Sequence, residues 1–426
     1  MKSILSVCAA FLLPAILHVS GFTVDRVSIQ QRWPWSQKID VDYLLEGAAS
    51  GATADVSLRM FSGDKELEIP SAALSGDRIE VVPGFRRLTV DPKSAGWIGE
   101  DLQAVSAVVT AAETPLYVII DLTKAKGEVG GVTYLTATDL ADGSWGPCET
   151  NAFADVGLKS IIWTGVTNDA AYATTKLVLR RIPAATFKLG YLAWDAIKTG
   201  WIEPTTEITL TKPYYIGVYP ITQDQYSLIM KANPSVFKTE GATRPVDSPT
   251  YQNMQTFCSA LSGTTGFACG LPTYAQWEYA ANTGFTTPFC SGVLQKYTST
   301  TWETVLTAMV APYGCCGRSS ATTDVAPDVG GTVKVGGYLP NGYGLYDVHG
   351  NVWEAVVDYY NASYDYATDP IDPTGAPTAT ENNKHMRVGG SFTMKAEYAR
   401  AHYRGYDFAE NKGNVQTGFR IVINPF

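Results

Sequence analysis

Residues Asn341 to Glu354 read NGYGLYDVHGNVWE, and no other stretch restricts the fold as much. Glycines, aromatics and carboxamide or carboxylate oxygens crowd together, with neither the helical period nor the alternation of a strand. Such a segment closes tight turns at its glycines and can offer several oxygens to a hard cation. A domain built around it needs something besides periodic packing to fix it: disulfides, buried aromatics or a bound ion.

Length and charge narrow the rest. A chain of 426 residues is too long for one ordinary core, which predicts two domains. Hydrophobic content of 45% suits packed interiors. A net charge of −9 and the lack of a basic run argue against a nucleic-acid surface. Residues 1–21 read as a secretory signal peptide. Lys2 is the positive start, Ile4 to Leu17 the apolar run, and Val19-Ser20-Gly21 the small residues before a cut at Phe22. A retained membrane anchor is the other reading, disfavoured by the shortness of the run. No later segment is long and apolar enough to span a bilayer, so no membrane span is expected after cleavage. The expected location is secreted, at the surface or in the periplasm of a bacterium. Past residue 21 stand Cys148, Cys258, Cys269, Cys290, Cys315 and Cys316, an even set that suggests disulfides and leaves their pairing open. Cys258 and Cys269 flank a glycine-bearing turn and could pair locally. No CxxC pair exists and histidines number four, so zinc is not expected.

Residues 22–169 predict an antiparallel β-sandwich. Lys38 to Tyr43 and Asp55 to Met60 alternate with period two, Leu116 to Leu122 is rich in β-branched residues, and Gly and Pro punctuate these runs. Trp33-Pro34-Trp35 reads as an edge strand that buries two indoles; the other reading is an aromatic platform for sugar. Residues 170–176 are polar and small and read as a linker. From 177 to 426 the pattern changes. Thr222 to Gln225 is a capping box ahead of the apolar face Tyr226, Ile229 and Met230. A second helix is expected from Thr250, with Met254, Phe257, Cys258 and Leu261 on one face. Thr273 to Gln276 is another capping box, and Gly284 stops that helix. Beyond it Gly, Pro, Asn and Tyr dominate, and long loops are expected.

Four motifs now stand in order: GLPTYAQWEYAA (Gly270 to Ala281), NGYGLYDVHGNVWE, RVGGSF (Arg387 to Phe392) and TGFRIV (Thr417 to Val422). Together they resemble the formylglycine-generating enzyme or sulfatase-modifying-factor family, whose fold is a variant of the C-type lectin fold. The resemblance covers about Leu177 to Phe426. The implied fold class is α+β: a β-sandwich, then a C-type-lectin-like domain with few helices and long loops.

Enzymes of this family oxidise a client cysteine with O2, and the resemblance implies two thiolates that bind Cu(I). They fall three residues beyond the serine of the GGS motif and five residues further on, where this chain has Met394 and Ala399. A lone thioether cannot replace a thiolate pair, so neither copper nor this oxidation is expected, and no catalytic residue is assigned. His349, His385 and His402 are scattered and read as structural. The resemblance also implies a Ca2+ held by Asp347, the carbonyls of Gly350 and Val352, and Glu354. The other reading is that both carboxylates satisfy backbone N–H groups with no metal. Near the lost cysteines, Ser391, Met394, Tyr398, Arg400, His402 and Tyr403 form an aromatic and charged set suited to recognition. Alternation from Tyr398 to Arg404 would place half inside and half out. The expected function is thus an exported, non-catalytic binding protein for a protein or glycan. The alternative is an enzyme of the family, a sulfatase-modifying oxidase included, with a replaced active site.

Overall fold

The computed structural model describes residues 21–32, 35–47, 52–136, 169–190, 206–239, 241–284, 287–290, 302–314, 331–361, 364–378 and 384–424, with 139, 148–149 and 163–164. The expected signal peptide, apart from Gly21, and Cys315 and Cys316 lie outside them. The chain divides into two units, Met1–Leu116 with Thr136–Asp142, and Tyr117–Leu135 with Gly143–Phe426.

The first unit is the expected sandwich. One sheet runs β1 (Phe22–Gln31), β2 (Ile39–Gly47), β6 (Gly84–Val90), β5 (Leu74–Gly76), and the other β4 (Lys65–Leu67), β3 (Ala54–Ser62), β7 (Val105–Glu113). Ile39, Val41, Tyr43 and Leu45 of β2 share one core with Val56, Leu58 and Met60 of β3, as period-two alternation requires. The placement of Trp35 in that core is corrected. Its side chain is 91% exposed, because the chain reverses between β1 and β2 through a turn closed by Ser36 N–H donating to Arg32 C=O (3.0 Å). Trp33 lies outside the described residues.

The domain boundary also moves. The strand read at Leu116 to Leu122 exists as β8 (Tyr117–Asp121), but it belongs to the second unit. There it pairs with β9 (Val132–Leu135) and with β12 (Lys176–Ile182). Between them lies the two-residue pair β10 (Cys148–Glu149) and β11 (Trp163–Thr164). The expected linker is built into the same unit: Tyr172 is buried and Gln225 Nε2–H donates to its carbonyl (3.0 Å). Polar composition misled here because these backbone groups find buried side-chain partners and not solvent.

The second unit holds β13 (Ala185–Leu189) paired with β14 (Thr206–Leu210), and β15 (Tyr214–Gly217), which joins β12 in a six-stranded sheet of order β16, β21, β15, β12, β8, β9. Its other members are β16 (Cys269–Gly270) and β21 (Val422–Ile423). A four-stranded sheet orders β19 (Gly405–Ala409), β18 (Lys384–Val388), β17 (Trp353–Tyr359) and β20 (Thr417–Gly418). The described α-helices are four: α1 (Gln223–Met230), α2 (Tyr251–Thr265), α3 (Tyr274–Asn282) and α4 (Trp302–Val310). None is long and apolar enough to cross a membrane. Thr222, Thr250 and Thr273 each form a reciprocal capping box with the residue three positions on, so all three expected helix starts are found. Met254, Phe257 and Leu261 of α2 pack on Leu177 and Leu179 of β12 and on Phe419. Phe257 meets Phe419 edge-on at 5.3 Å and stacks on Tyr226 at 5.6 Å. Cys258 and Cys269 both carry free thiols, and burial pushes the Cys258 thiol up to about 12.

Phe419 ties the loop-rich half to α1 and α2. Phe419→Ala should lower stability by about 3–5 kcal/mol, the usual cost of deleting a buried aromatic ring. Urea unfolding followed by tryptophan fluorescence checks this; a loss under about 1 kcal/mol would mean the ring does not bridge these elements.

Candidate functional site

The aperiodic loop is held by its own side chains. Asn341 spends its whole amide: Nδ2 donates to the carbonyls of Ala280 and Ala281 at the end of α3 (2.7 and 2.8 Å), and Oδ1 accepts from Tyr343 N–H and Leu345 N–H (both 3.0 Å). Asp347 sits at φ +56°, a left-handed conformation that asparagine and aspartate tolerate. Its Oδ2 accepts from Gly336 N–H (2.7 Å). Burial pushes its carboxyl up to about 6. His349 is fully buried; its Nε2 accepts from Cys290 N–H (3.0 Å), so Nδ1 carries the proton and donates to Ala399 C=O (2.8 Å). Burial lowers this imidazole to about 4.

The loop ends on Glu354, at the start of β17. Its Oε1 accepts from Arg420 Nη2 (2.8 Å), and its Oε2 accepts from Arg420 Nε (3.0 Å) and from Trp277 Nε1 of α3 (2.6 Å). Arg420 uses its remaining donors on the carbonyls of Gly217, Val218 and Tyr346, at 2.6, 2.8 and 2.7 Å. Both ionic side chains are 1% exposed. So placed, the four groups expected around calcium do not fit it. Both Glu354 oxygens are taken, a guanidinium stands against them, and one oxygen of Asp347 is held by a backbone N–H. Calcium binding at Asp347, Gly350, Val352 and Glu354 stays a proposal, and it requires Arg420 to give up Glu354. Among the described residues no group of three or more His, Cys, Asp or Glu side chains could hold a metal.

The recognition set is only partly brought together. Gly389 and Gly390 both have positive φ, and a Cβ on Gly390 would lie 2.7 Å from the Ala399 Cα. This glycine turn is therefore pressed onto the 3-10 turn Ala396–Ala399. Ser391 and His402 are buried, so neither lines a surface, and burial drives His402 well below its ordinary value. Residues 398–404 are not a strand, which corrects the alternation read from sequence. Met394, Tyr398, Arg400 and Tyr403 are half-buried. Tyr398 meets Tyr403 edge-on at 4.9 Å, Arg400 lies 6.0 Å over the Tyr403 ring, and Tyr403 packs 5.9 Å from Trp353. Arg387 lies over the Trp353 ring, 5.1 Å from its centroid. The sequence reading missed Trp353 and Arg387 as members of this cluster. Trp353 was legible as part of the loop motif, but its meeting with Tyr403 is a product of packing. Ala399 itself is sealed in an apolar cluster with Phe289, Leu306 and Val310.

Residues 168–425 match the sulfatase-modifying factor enzyme 1-like domain. The chain belongs to this family. Its fold is mixed α+β, with few helices and long loops. The formylglycine-generating enzyme of Thermomonospora curvata is 31% identical over 169 residues, 36% of this chain and 49% of that protein. The enzyme of Bos taurus is 32% identical over 130 residues, 30% of this chain and 31% of its own length. The chain thus spans half or less of these enzymes. The chaperone protein LppX of Paenibacillus barcinonensis is 26% identical over 53% of this chain and 86% of its own. Among solved structures, Treponema denticola variable protein 1 is similar at 23% identity and a TM-score of 0.46, with 59% of this chain and 96% of that one covered.

Glu354→Gln should cost about 3–5 kcal/mol, because it leaves the Arg420 charge buried without its partner. Thermal melts with EDTA and with CaCl2 belong in the same experiment. On this geometry the wild type should be indifferent to both. A rise in Tm with Ca2+ that Glu354→Gln abolishes would show that the ion displaces Arg420.

The buried histidines set an acid limit. The unfolded His349 takes its proton near pH 6.5 and the folded one only near 4, so in that window the unfolded chain binds more proton and stability is lost as the pH is lowered. Asp347 and Asp358, both raised to about 6, act with the opposite sign and return stability as pH falls through 6. His349→Gln should therefore be less stable at pH 7 yet lose less between pH 6.5 and 4 than the wild type. Urea midpoints across that range measure both; an unchanged slope would remove His349 as the source.

Proposed function

We propose that this chain uses the family's scaffold to bind a macromolecular ligand and not to oxidise cysteine. One observation carries the reading. The position of the family's second thiol is an alanine sealed in an apolar cluster, while the aromatic and guanidinium stack beside it stays half open. Met394 supplies one thioether at the other thiol position, which is neither a Cu(I) ligand pair nor a redox couple. Tyr398 and Tyr403 offer rigid amphipathic area, and Arg400 offers forked donors, the residue types that dominate recognition surfaces. The ligand is a protein or a glycan, met outside the cytoplasm if the apolar run at residues 4–17 directs export. A relative named a chaperone, matched over 86% of its length, is in keeping with a family fold used for other ends than oxidation.

Two measurements test this. A Cys-x-Pro-x-Arg peptide incubated with the protein, Cu(I) and O2 should keep its mass; a loss of about 18 Da at the cysteine, the signature of oxidation to formylglycine, would restore the oxidase reading. Tyr398→Ala and Tyr403→Ala should each weaken whole-cell or glycan-array binding by on the order of 2 kcal/mol with little change in Tm. Trp35→Ala serves as the sandwich control. Loss of binding in that variant alone would move the function to the first unit.

A further inference from the structure

His385 of β18 lies flat between two tyrosine rings, Tyr251 at the start of α2 (3.5 Å between centroids) and Tyr359 at the end of β17 (4.3 Å). Both of its ring nitrogens face acceptors. Nδ1 lies 3.2 Å from Val357 C=O, and Nε2 lies 3.3 Å from Oε1 of Glu410, the residue after β19. A carbonyl and a carboxylate only accept, and a neutral imidazole has one N–H to give. The neutral ring therefore leaves one of these two contacts between lone pairs. The imidazolium satisfies both, and its charge faces two tyrosine rings. Burial holds the imidazole below its ordinary value, and the Glu410 carboxylate pulls the other way. Among the described residues packed on the ring, α2 contributes Tyr251 and β17 contributes Tyr359 and backbone carbonyls, so Glu410 is the charged group that acts on it. The Asp358 carboxylate, next to Val357, is held by Tyr274 N–H (2.7 Å) and Tyr366 O–H (2.8 Å). The Glu410 side chain is 30% exposed and has water to swing into, whereas that of His385 is buried.

We propose that His385 is a proton-operated latch: proton uptake draws Glu410 onto the ring and fastens the end of β19 with the turn that follows it, and proton loss releases them. Two reference states carry opposite signs. Against the unfolded chain, whose imidazole titrates higher, proton uptake by His385 costs stability, as it does for His349. Against the same fold with Glu410 swung into water, the ring has lost the carboxylate that favours its charge, so proton uptake tightens the latch. The latch therefore closes below the His385 midpoint and opens above it. Its place gives it reach. β18 and β19 pair at Arg387–Gly405, where Arg387 covers the Trp353 ring, and at Lys384–Ala409, next to Glu410. Further along the turn, Asn414 C=O accepts from Ser248 N–H (3.2 Å), just ahead of α2. The latch acts on the strand that leaves the Tyr398 to Arg404 segment, and it is independent of what that segment binds.

NMR of the whole protein with labelled histidine gives the His385 midpoint, and His385→Gln identifies its signal. Amide hydrogen exchange of residues 409–414, corrected for the intrinsic effect of pH, is then read on either side of that midpoint. Protection should rise severalfold as His385 takes up its proton. Glu410→Gln changes a partly exposed side chain and supplies an amide that donates to the neutral ring. It should lower the midpoint and flatten the rise in protection. The latch is excluded if protection stays the same or falls as His385 is protonated, or if Glu410→Gln leaves either the midpoint or the rise in place.

Discussion

The second unit depends on one buried ion pair. Arg420 and Glu354 lie 66 residues apart and are almost completely excluded from water. Removing two charges from solvent is expensive, and the arrangement answers that cost by saturation. All five guanidinium N–H groups have acceptors, and both carboxylate oxygens have donors, Trp277 included. The acceptors come from β15, from the loop before Asp347 and from the start of β17, and the extra donor comes from α3. A single side chain near the C-terminal end thereby fixes four pieces of chain that share no periodic packing. This is how a loop without helix or strand pattern becomes an ordered part of the core.

The same economy governs the loop's other polar groups. Asn341 closes the end of α3, and His349 bridges the Cys290 segment to Ala399. These residues have the types that catalysis or metal binding would use, yet their lone pairs and protons are spent on backbone partners. What is left for ligands is aromatic. Tyr398, Tyr403 and Arg400 form one half-open group against the buried Trp353. Arg404, at the end of the same segment, turns instead to the ring of Tyr274. The rings of Tyr398 and Tyr403 are held by contact with each other and with the buried Trp353.

Local rules were legible in the sequence. The three capping boxes gave the helix starts because the bonds involved span only three residues. The alternation of β2 and β3 identified the sandwich because each strand needs one wet face and one dry face. The four motifs identified the family through their order. Decisions that turn on distant partners were not legible. β8 reads as one more sandwich strand, and only its pairing with β12 places it in the other unit. Residues 170–176 read as a polar linker, and only the side chains of Gln225 and Thr222 turn them into buried structure.

The candidate site divides along the same line. That Met394 and Ala399 stand three residues past the serine of the GGS motif and five residues further on is a matter of motif positions, and the sequence alone determined it. Which of Ser391, Tyr398, Arg400, His402 and Tyr403 reach a surface depended on how the Gly389-Gly390 turn presses onto Ala399, and only tertiary packing decided it. The role of Glu354 likewise could not be read along the chain. A carboxylate at that spacing suits a calcium ion or a buried cation of the protein equally well, and the choice was made by Arg420, which arrives from 66 residues away.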